Sequence, residues 1–280
     1  MLFPDVLNIK IQASIRVLQE NEPPEGYFFA FSGGKDSIVV YLLLLLAGVK
    51  FTAYFNRTTV DPPELISYIR ENYPETVFLR PQLTMFQLIE AKRMLPTRII
   101  KFCCGALKEY SGKGRWVVTG IRAEESARRA KRRMIEDKKK DDRGQIVPGS
   151  KGFVNPIFLW TELDVWTFID ANKIKYCELY DIEGINRIGC VGCPCQPVRT
   201  RKAEFKRYPG FKKAYINTIE KLRQKHNLFR EFPDSKSVFE WWINDMSVEE
   251  YKFNKKLLED QCFISTQHQL SLTQKSQKDQ

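Results

Sequence analysis

The sequence holds only two histidines, His226 and His268, and neither lies near a motif. Imidazole proton transfer, the most frequent form of general acid-base catalysis, is therefore not expected of this chain. Long apolar runs are scarce as well. The stretch Tyr41 to Val49, which continues the run opening at Ile38, is too short to span a bilayer, and the residues around Asp5 show no basic segment followed by an apolar block and a cleavage site. These absences predict a cytoplasmic protein with no membrane partner. No internal repeat is present, and no signature of the common RNA- or DNA-binding modules occurs. The Walker phosphate loop is missing too, because its four residues between a first glycine and a Gly-Lys pair are not found.

What is present suits a packed α/β protein. Of 280 residues 43% are hydrophobic, enough to bury a proper core, and the length fits one α/β domain with a helical extension as well as two domains. Apolar runs predict strands near 26–31, 50–56, 76–80, 115–120 and 153–158. Helices are predicted near 36–48, 62–73, 84–93, 103–110 and 162–172, the last entered through Thr161 as cap with Val165, Trp166 and Ile169 on its apolar face. Strands alternating with helices imply a mostly parallel, doubly wound sheet covered on both faces. The expected organisation is a nucleotide-binding α/β domain over 1–200, a helical extension over 201–262, and a disordered tail over 263–280, where Gln, Ser, Lys and Thr replace apolar residues.

The hexapeptide Ser32-Gly33-Gly34-Lys35-Asp36-Ser37 follows the apolar run 26–31 and opens another at Ile38. That order reads as strand, glycine turn, helix start. Two glycines let the backbone turn sharply and approach a ligand, and free amides at a helix N-terminus point towards anions. Lys35 adds positive charge, Ser32 and Ser37 add hydroxyls, and Asp36 is suited to hold Mg²⁺ against phosphates. A second segment, Gly120-Ile121-Arg122-Ala123-Glu124-Glu125-Ser126, again puts glycine after an apolar strand. A third, Asn56 to Asp61, follows the second strand. All three fall at strand C-terminal ends, where open α/β sheets bind ligands. Asp61 or Arg57 would touch ribose or phosphate there, with a helix cap as the alternative for Asp61. Arg98, after Pro96-Thr97, is a candidate for the mouth of the site.

Seven cysteines are placed unevenly: Cys103 and Cys104 adjacent, Cys177, Cys190-Val191-Gly192-Cys193-Pro194-Cys195, and Cys262. In a reducing compartment these are thiols, metal ligands or catalysts rather than disulfides. The C-x-x-C pair can present two thiolates to one metal, and Cys103 and Cys104 can close the site from across the fold. Structural zinc, a redox dithiol at Cys190 and Cys193, and plain burial of Cys103 and Cys104 are the other readings.

The Ser-Gly-Gly-x-Asp-Ser loop resembles that of the PP-loop ATP pyrophosphatases within the adenine nucleotide alpha hydrolase-like superfamily. The Gly-x-Arg-x-x-Glu-Ser segment resembles the phosphoadenosine phosphosulfate (PAPS) reductase family, over about residues 25 to 215. The resemblance implies an adenine nucleotide, either ATP with Mg²⁺ or a sulfonucleotide, bound by Ser32, Gly33, Gly34, Lys35, Asp36, Ser37, Asp61, Gly120, Arg122 and Glu125. Lys35, Asp36 and Arg122 would act in catalysis. The tandem cysteines with C-x-x-C resemble the set that binds a 4Fe-4S cluster in adenylylsulfate (APS) reductases, which implies Cys103, Cys104, Cys190 and Cys193 as ligands, with zinc the next choice.

Three functions follow from that resemblance. In the first, ATP is cleaved at the α-phosphate to adenylate an acceptor for sulfur transfer, as in relatives that thiolate tRNA or phosphorothioate DNA, and a sulfur donor is a partner. In the second, APS or PAPS is reduced with release of sulfite, and a thiol protein is the reductant. Those reductases carry a C-terminal Glu-Cys-Gly-Ile/Leu-His segment, whereas the last cysteine here lies in Asp260-Gln261-Cys262-Phe263-Ile264. They also tend to degrade the phosphate loop, which is intact here, so ATP is favoured. In the third, the fold binds nucleotide without turnover. The net charge of +11 suits an anionic partner. The densest basic segment, Arg128 to Lys140, makes nucleic acid one candidate, although Asp137 among its neighbours also suits a solvated loop over 134–152.

Overall fold

The computed structural model describes residues 5–137 and 151–257. Lys138 to Lys140 of the basic segment, Cys262, His268 and the 263–280 tail lie outside the described residues. The chain divides into two units, one running to Leu88 and again from Ile99 to Cys193, the other comprising Ile89–Arg98 and the chain from Pro194.

The first unit begins with helix α1 (Asp5–Glu20), whose Leu7, Ile11, Ser14 and Leu18 are buried at helical spacing. Strand β1 (Tyr27–Ala30) leads through the glycine turn into α2 (Lys35–Ala47), then β2 (Phe51–Asn56), α3 (Pro63–Asn72), β3 (Val77–Leu79) and the start of α4 (Met85–Lys92), whose residues from Ile89 belong to the second unit. Helix α5 (Phe102–Leu107), β4 (Trp116–Val118), a 3-10 turn at Ala123–Glu125 and the short α6 (Ala127–Ala130) follow. The remainder is β5 (Ile135–Asp137), β6 (Gly152–Val154), α7 (Glu162–Ala171) and a 3-10 turn at Glu178–Asp181.

The six strands form one sheet in the order β3-β2-β1-β4-β6-β5. Every pairing is parallel except β5 with β6. β1 therefore sits between β2, opposite Phe51 to Tyr54, and β4, where Phe28 and Phe29 face Val117 and Val118. The chain leaves β1 towards one edge and returns on its other side at β4, so the loops after these two strands diverge. A crevice at their carboxyl ends is the geometric result.

The α/β class is as the sequence predicts, and the five expected strands and helices form within a few residues of their predicted bounds. Helices α1 and α6 and strand β5 are additions. β5 turns part of the supposed loop at 134–152 into an antiparallel edge strand paired with Gly152 to Val154. Thr161 does cap α7: its Oγ accepts the Asp164 amide while the Asp164 carboxylate accepts the Thr161 amide. The core holds Tyr27, Phe29, Leu43, Leu44, Val118, Val154 and Trp160, all at most 2% exposed.

The second unit is helical: α8 (Val198–Arg207), α9 (Pro209–His226) and α10 (Ser235–Ile243). Phe205 packs on Phe239 and Trp242, and Tyr215 stacks on Trp242 at 5.0 Å between ring centroids. Arg98 belongs to this unit, where its Nε donates to the Pro194 carbonyl at 3.1 Å. No helix among the described residues is long and apolar enough to cross a membrane.

Candidate nucleotide and cysteine site

The turn between β1 and α2 is built for close approach. Gly33 has φ of +69°, and a Cβ placed there would stand 2.7 Å from the Ile69 side chain, so both the backbone and the space demand glycine. Gly34, the N-cap residue of α2, provides no side-chain cap. The Ser37 hydroxyl donates to the Gly34 carbonyl at 2.8 Å, and the Ser32 and Ser37 hydroxyls lie 3.1 Å apart, which fastens the turn. Lys35 is only 4% exposed. Its Nζ donates to the Asn186 carbonyl at 2.6 Å, pairs with Glu162 at 3.3 Å and sits over the Tyr180 ring, while its amide donates to the Tyr180 hydroxyl at 3.0 Å.

The loop after β4 closes on the same turn. A Cβ on Gly120 would come within 3.1 Å of the Asp36 carbonyl carbon and 3.2 Å of the Ser37 nitrogen, so only glycine lets these two backbones meet without displacement. Arg122, 3% exposed, donates from Nε to Asp36 Oδ1 at 2.6 Å and from Nη1 to Glu124 at 2.7 Å. Burial pushes the Asp36 carboxyl above its usual range, and the Arg122 guanidinium opposes that shift without cancelling it. Glu125 accepts the Arg122 amide at 3.0 Å and pairs with Arg129, so its carboxylate orders the 3-10 turn. Arg122, expected in catalysis, is placed as the partner of Asp36.

Asp61 is not the cap of α3, whose N-cap residue is Pro62. Its two oxygens instead accept the amide and hydroxyl of Thr58 at 2.8 and 2.6 Å, a local turn that shapes the loop after β2. Arg57 Nε is buried on that loop without a hydrogen-bond partner among the described residues.

Cys103 and Cys104 enter α5, and Cys190 and Cys193 flank the turn that ends the unit. Cys104, Cys190 and Cys193 all act on the Cys103 thiol. A hydrogen bond to Cys104, with burial, pushes the Cys103 thiol up, while the same bond, helped by Lys108 and Lys101, lowers Cys104 to about 6. Lys108 is exposed, and the Cys190 thiol, with Asp61 and Cys193, raises its ammonium above the usual lysine range. Val191 N–H donates to the Val60 carbonyl at 2.8 Å, tying this turn to the loop after β2. Among the described residues no three His, Cys, Asp or Glu side chains are gathered so as to hold a metal ion. A tetrahedral zinc site needs its thiolates within one coordination shell. A four-iron cluster needs them around a larger body, one thiolate to each iron. Four thiols are the donor type such a cluster takes, but as they stand in this structure they are not gathered into one set.

Sequence reasoning missed Tyr180, Asn186, Glu162, Glu124 and Lys108. Tyr180 stands 145 positions from the amide it meets, and no local pattern marks it.

A mostly parallel six-stranded sheet with a glycine turn at its switch point defines the class of the fold as α/β. Residues 26–196 match the phosphoadenosine phosphosulfate reductase domain, and the chain belongs to that family. It is 28% identical over 213 residues to a protein of Methanocaldococcus jannaschii, covering 71% of this chain and 42% of the relative. It is 31% identical over 159 residues to the adenosine 5'-phosphosulfate reductase of Oceanobacillus iheyensis, covering 54% of this chain and 62% of the relative. The chain thus spans less than two thirds of either relative. The solved phosphoadenylyl-sulfate (PAPS) reductase of Candida auris has a TM-score of 0.46 and 16% identity, over 68% of this chain and 96% of that one.

Proposed function

We propose that this chain is an enzyme that binds ATP on the Ser32–Ser37 turn and cleaves it at the α-phosphate. An acceptor oxygen attacks the α-phosphorus, the bond to the β-phosphate oxygen breaks, and pyrophosphate leaves. The observation that carries this reading is the intact phosphate turn: left-handed Gly33, an α2 start without a side-chain cap, and buried Lys35 beside it. Amides of the turn, which the Ser32 and Ser37 hydroxyls brace, hold the leaving pyrophosphate, and the Lys35 charge offsets its negative charge. Arg122 fixes Asp36. Asp36 would hold Mg²⁺, which when bound would supply charge to neutralise the phosphates. Losing one such donor costs about 100- to 1,000-fold in rate.

Cys103, Cys104, Cys190 and Cys193 would hold a 4Fe-4S cluster, which when bound supplies electron transfer or a site for sulfur. A nucleophilic sulfur from a sulfur donor would then attack the acceptor atom that bears the adenylated oxygen, the bond to that oxygen breaking and AMP leaving. Reduction of a sulfonucleotide is the second reading, favoured by the likeness to a named APS reductase and by this cysteine set. Anaerobic single-turnover assays separate the two. Pyrophosphate from ATP supports the first, sulfite from APS or PAPS replaces it with the second, and tight binding with neither product leaves a nucleotide-binding module.

A further inference from the structure

We propose that Tyr180 reads the phosphates of the nucleotide, its phenol O–H donating to a phosphate oxygen held at the start of α2. This rests on the nucleotide reading above and adds a positioning residue to it.

The hydroxyl of Tyr180 occupies a place where an anion's oxygen would otherwise sit. It accepts the amide of Lys35, the first residue of α2, at 3.0 Å. A phenol that accepts an N–H group has its own proton left to give. Accepting it polarises the O–H bond and makes it the stronger donor, so the hydroxyl hands the Lys35 amide's character outward to the ligand. Gly34 leaves room for this: a Cβ there would lie 3.2 Å from the hydroxyl. The ring cannot swing freely, because Trp166 meets it edge-on at 5.5 Å, Tyr176 at 6.3 Å, and the Lys35 ammonium lies 5.4 Å from its centroid. Burial raises the phenol well above its usual range, which keeps it protonated.

The test is calorimetric titration of wild type, Tyr180→Phe and Lys35→Ala with adenosine, AMP and ATP at fixed Mg²⁺. Tyr180→Phe is expected to weaken ATP about 10- to 100-fold, as for a lost hydrogen bond to a charged group, and to leave adenosine unchanged. If Tyr180→Phe binds ATP as wild type does while Lys35→Ala loses it, the role of Tyr180 is refuted and the phosphate turn stands. Equal weakening of adenosine and ATP assigns Tyr180 to packing and also refutes it. Undiminished ATP binding by both variants removes the turn itself as the nucleotide site. Should Tyr180→Phe prove unstable, 2,3-difluorotyrosine at 180 keeps ring and hydroxyl but makes the phenol acidic. ATP affinity must then fall as pH rises through its titration while wild type stays level, and a flat profile overturns the proposal.

Discussion

Arg122→Met removes the guanidinium while keeping a long side chain in the space between β4 and α2. It leaves Asp36, already pushed up by burial, without its bonded cation. Breaking a fully buried pair costs about 3–5 kcal/mol. Asp36 keeps 23% of its side-chain exposure, so water offsets part of the loss and about 2 kcal/mol is expected at neutral pH. The pH dependence follows from the raised carboxyl. Between its unfolded and folded pKa the native state binds more protons than the unfolded one, so stability is lost as pH rises through that window and regained as pH falls. Removing Arg122 lifts the folded value further and widens the window upward. Urea unfolding of wild type and variant at several pH values between about 4.5 and 8 should give a deficit largest at the top and shrinking towards the bottom. Adding Asp36→Asn should recover most of it. A deficit below about 0.5 kcal/mol, or one that does not change with pH, would refute the view that Arg122 exists to compensate a buried carboxylate.

Three further outcomes are expected. In anaerobic preparations Cys103→Ser, Cys104→Ser, Cys190→Ser and Cys193→Ser should each lower iron, sulfide and visible absorbance from about four irons per chain, while Cys177→Ser, in the core, should not; stoichiometric zinc without sulfide would point to zinc instead. Gly120→Ala must displace the Asp36–Ser37 backbone by a few tenths of an ångström, and should cut nucleotide-dependent activity about 10-fold with little change in melting temperature. Asp164 is raised by burial but lowered more by hydrogen bonds from Lys10 and Thr161, so its folded pKa lies below the unfolded one. Its contribution, about 1 kcal/mol, is present above about pH 4 and lost as pH falls through the folded value, so Asp164→Asn should cost stability at pH 7 and nothing in strong acid, measured by denaturation.

The glycine turn at 32–37 was legible because its information is local. Gly33 and Gly34 in sequence order with a strand before and an apolar helix after are enough to write the backbone path, and Thr161 with Asp164 is a cap three residues long. β5 was not legible: three residues, Ile135–Asp137, become a strand only because Gly152 to Val154 lies beside them. The pattern of α1 was open to reading, since Leu7, Ile11 and Leu18 share one helix face. The role of Arg122 was hidden for a different reason. Its partner Asp36 is 86 positions away, and the guanidinium meets it only because Gly120 lets β4 end against α2.

The same distinction applies to the join between the phosphate turn and the cysteines. The segment from Tyr176 to Val191 touches the turn at one end, through Tyr180 on the Lys35 amide and the Asn186 carbonyl on Lys35 Nζ. At its other end it is pinned to the loop after β2, through the Val191 amide on the Val60 carbonyl, with Cys190 adjacent. Only three residues separate Asn186 from Cys190, a reach of roughly 13 Å at full extension. A shift of Lys35 that releases Asn186 is therefore taken up within those few residues or passed on to Cys190. This gives the intact Lys35 a structural consequence at the thiols, one set by chain length and two hydrogen bonds rather than by any residue pattern in the sequence.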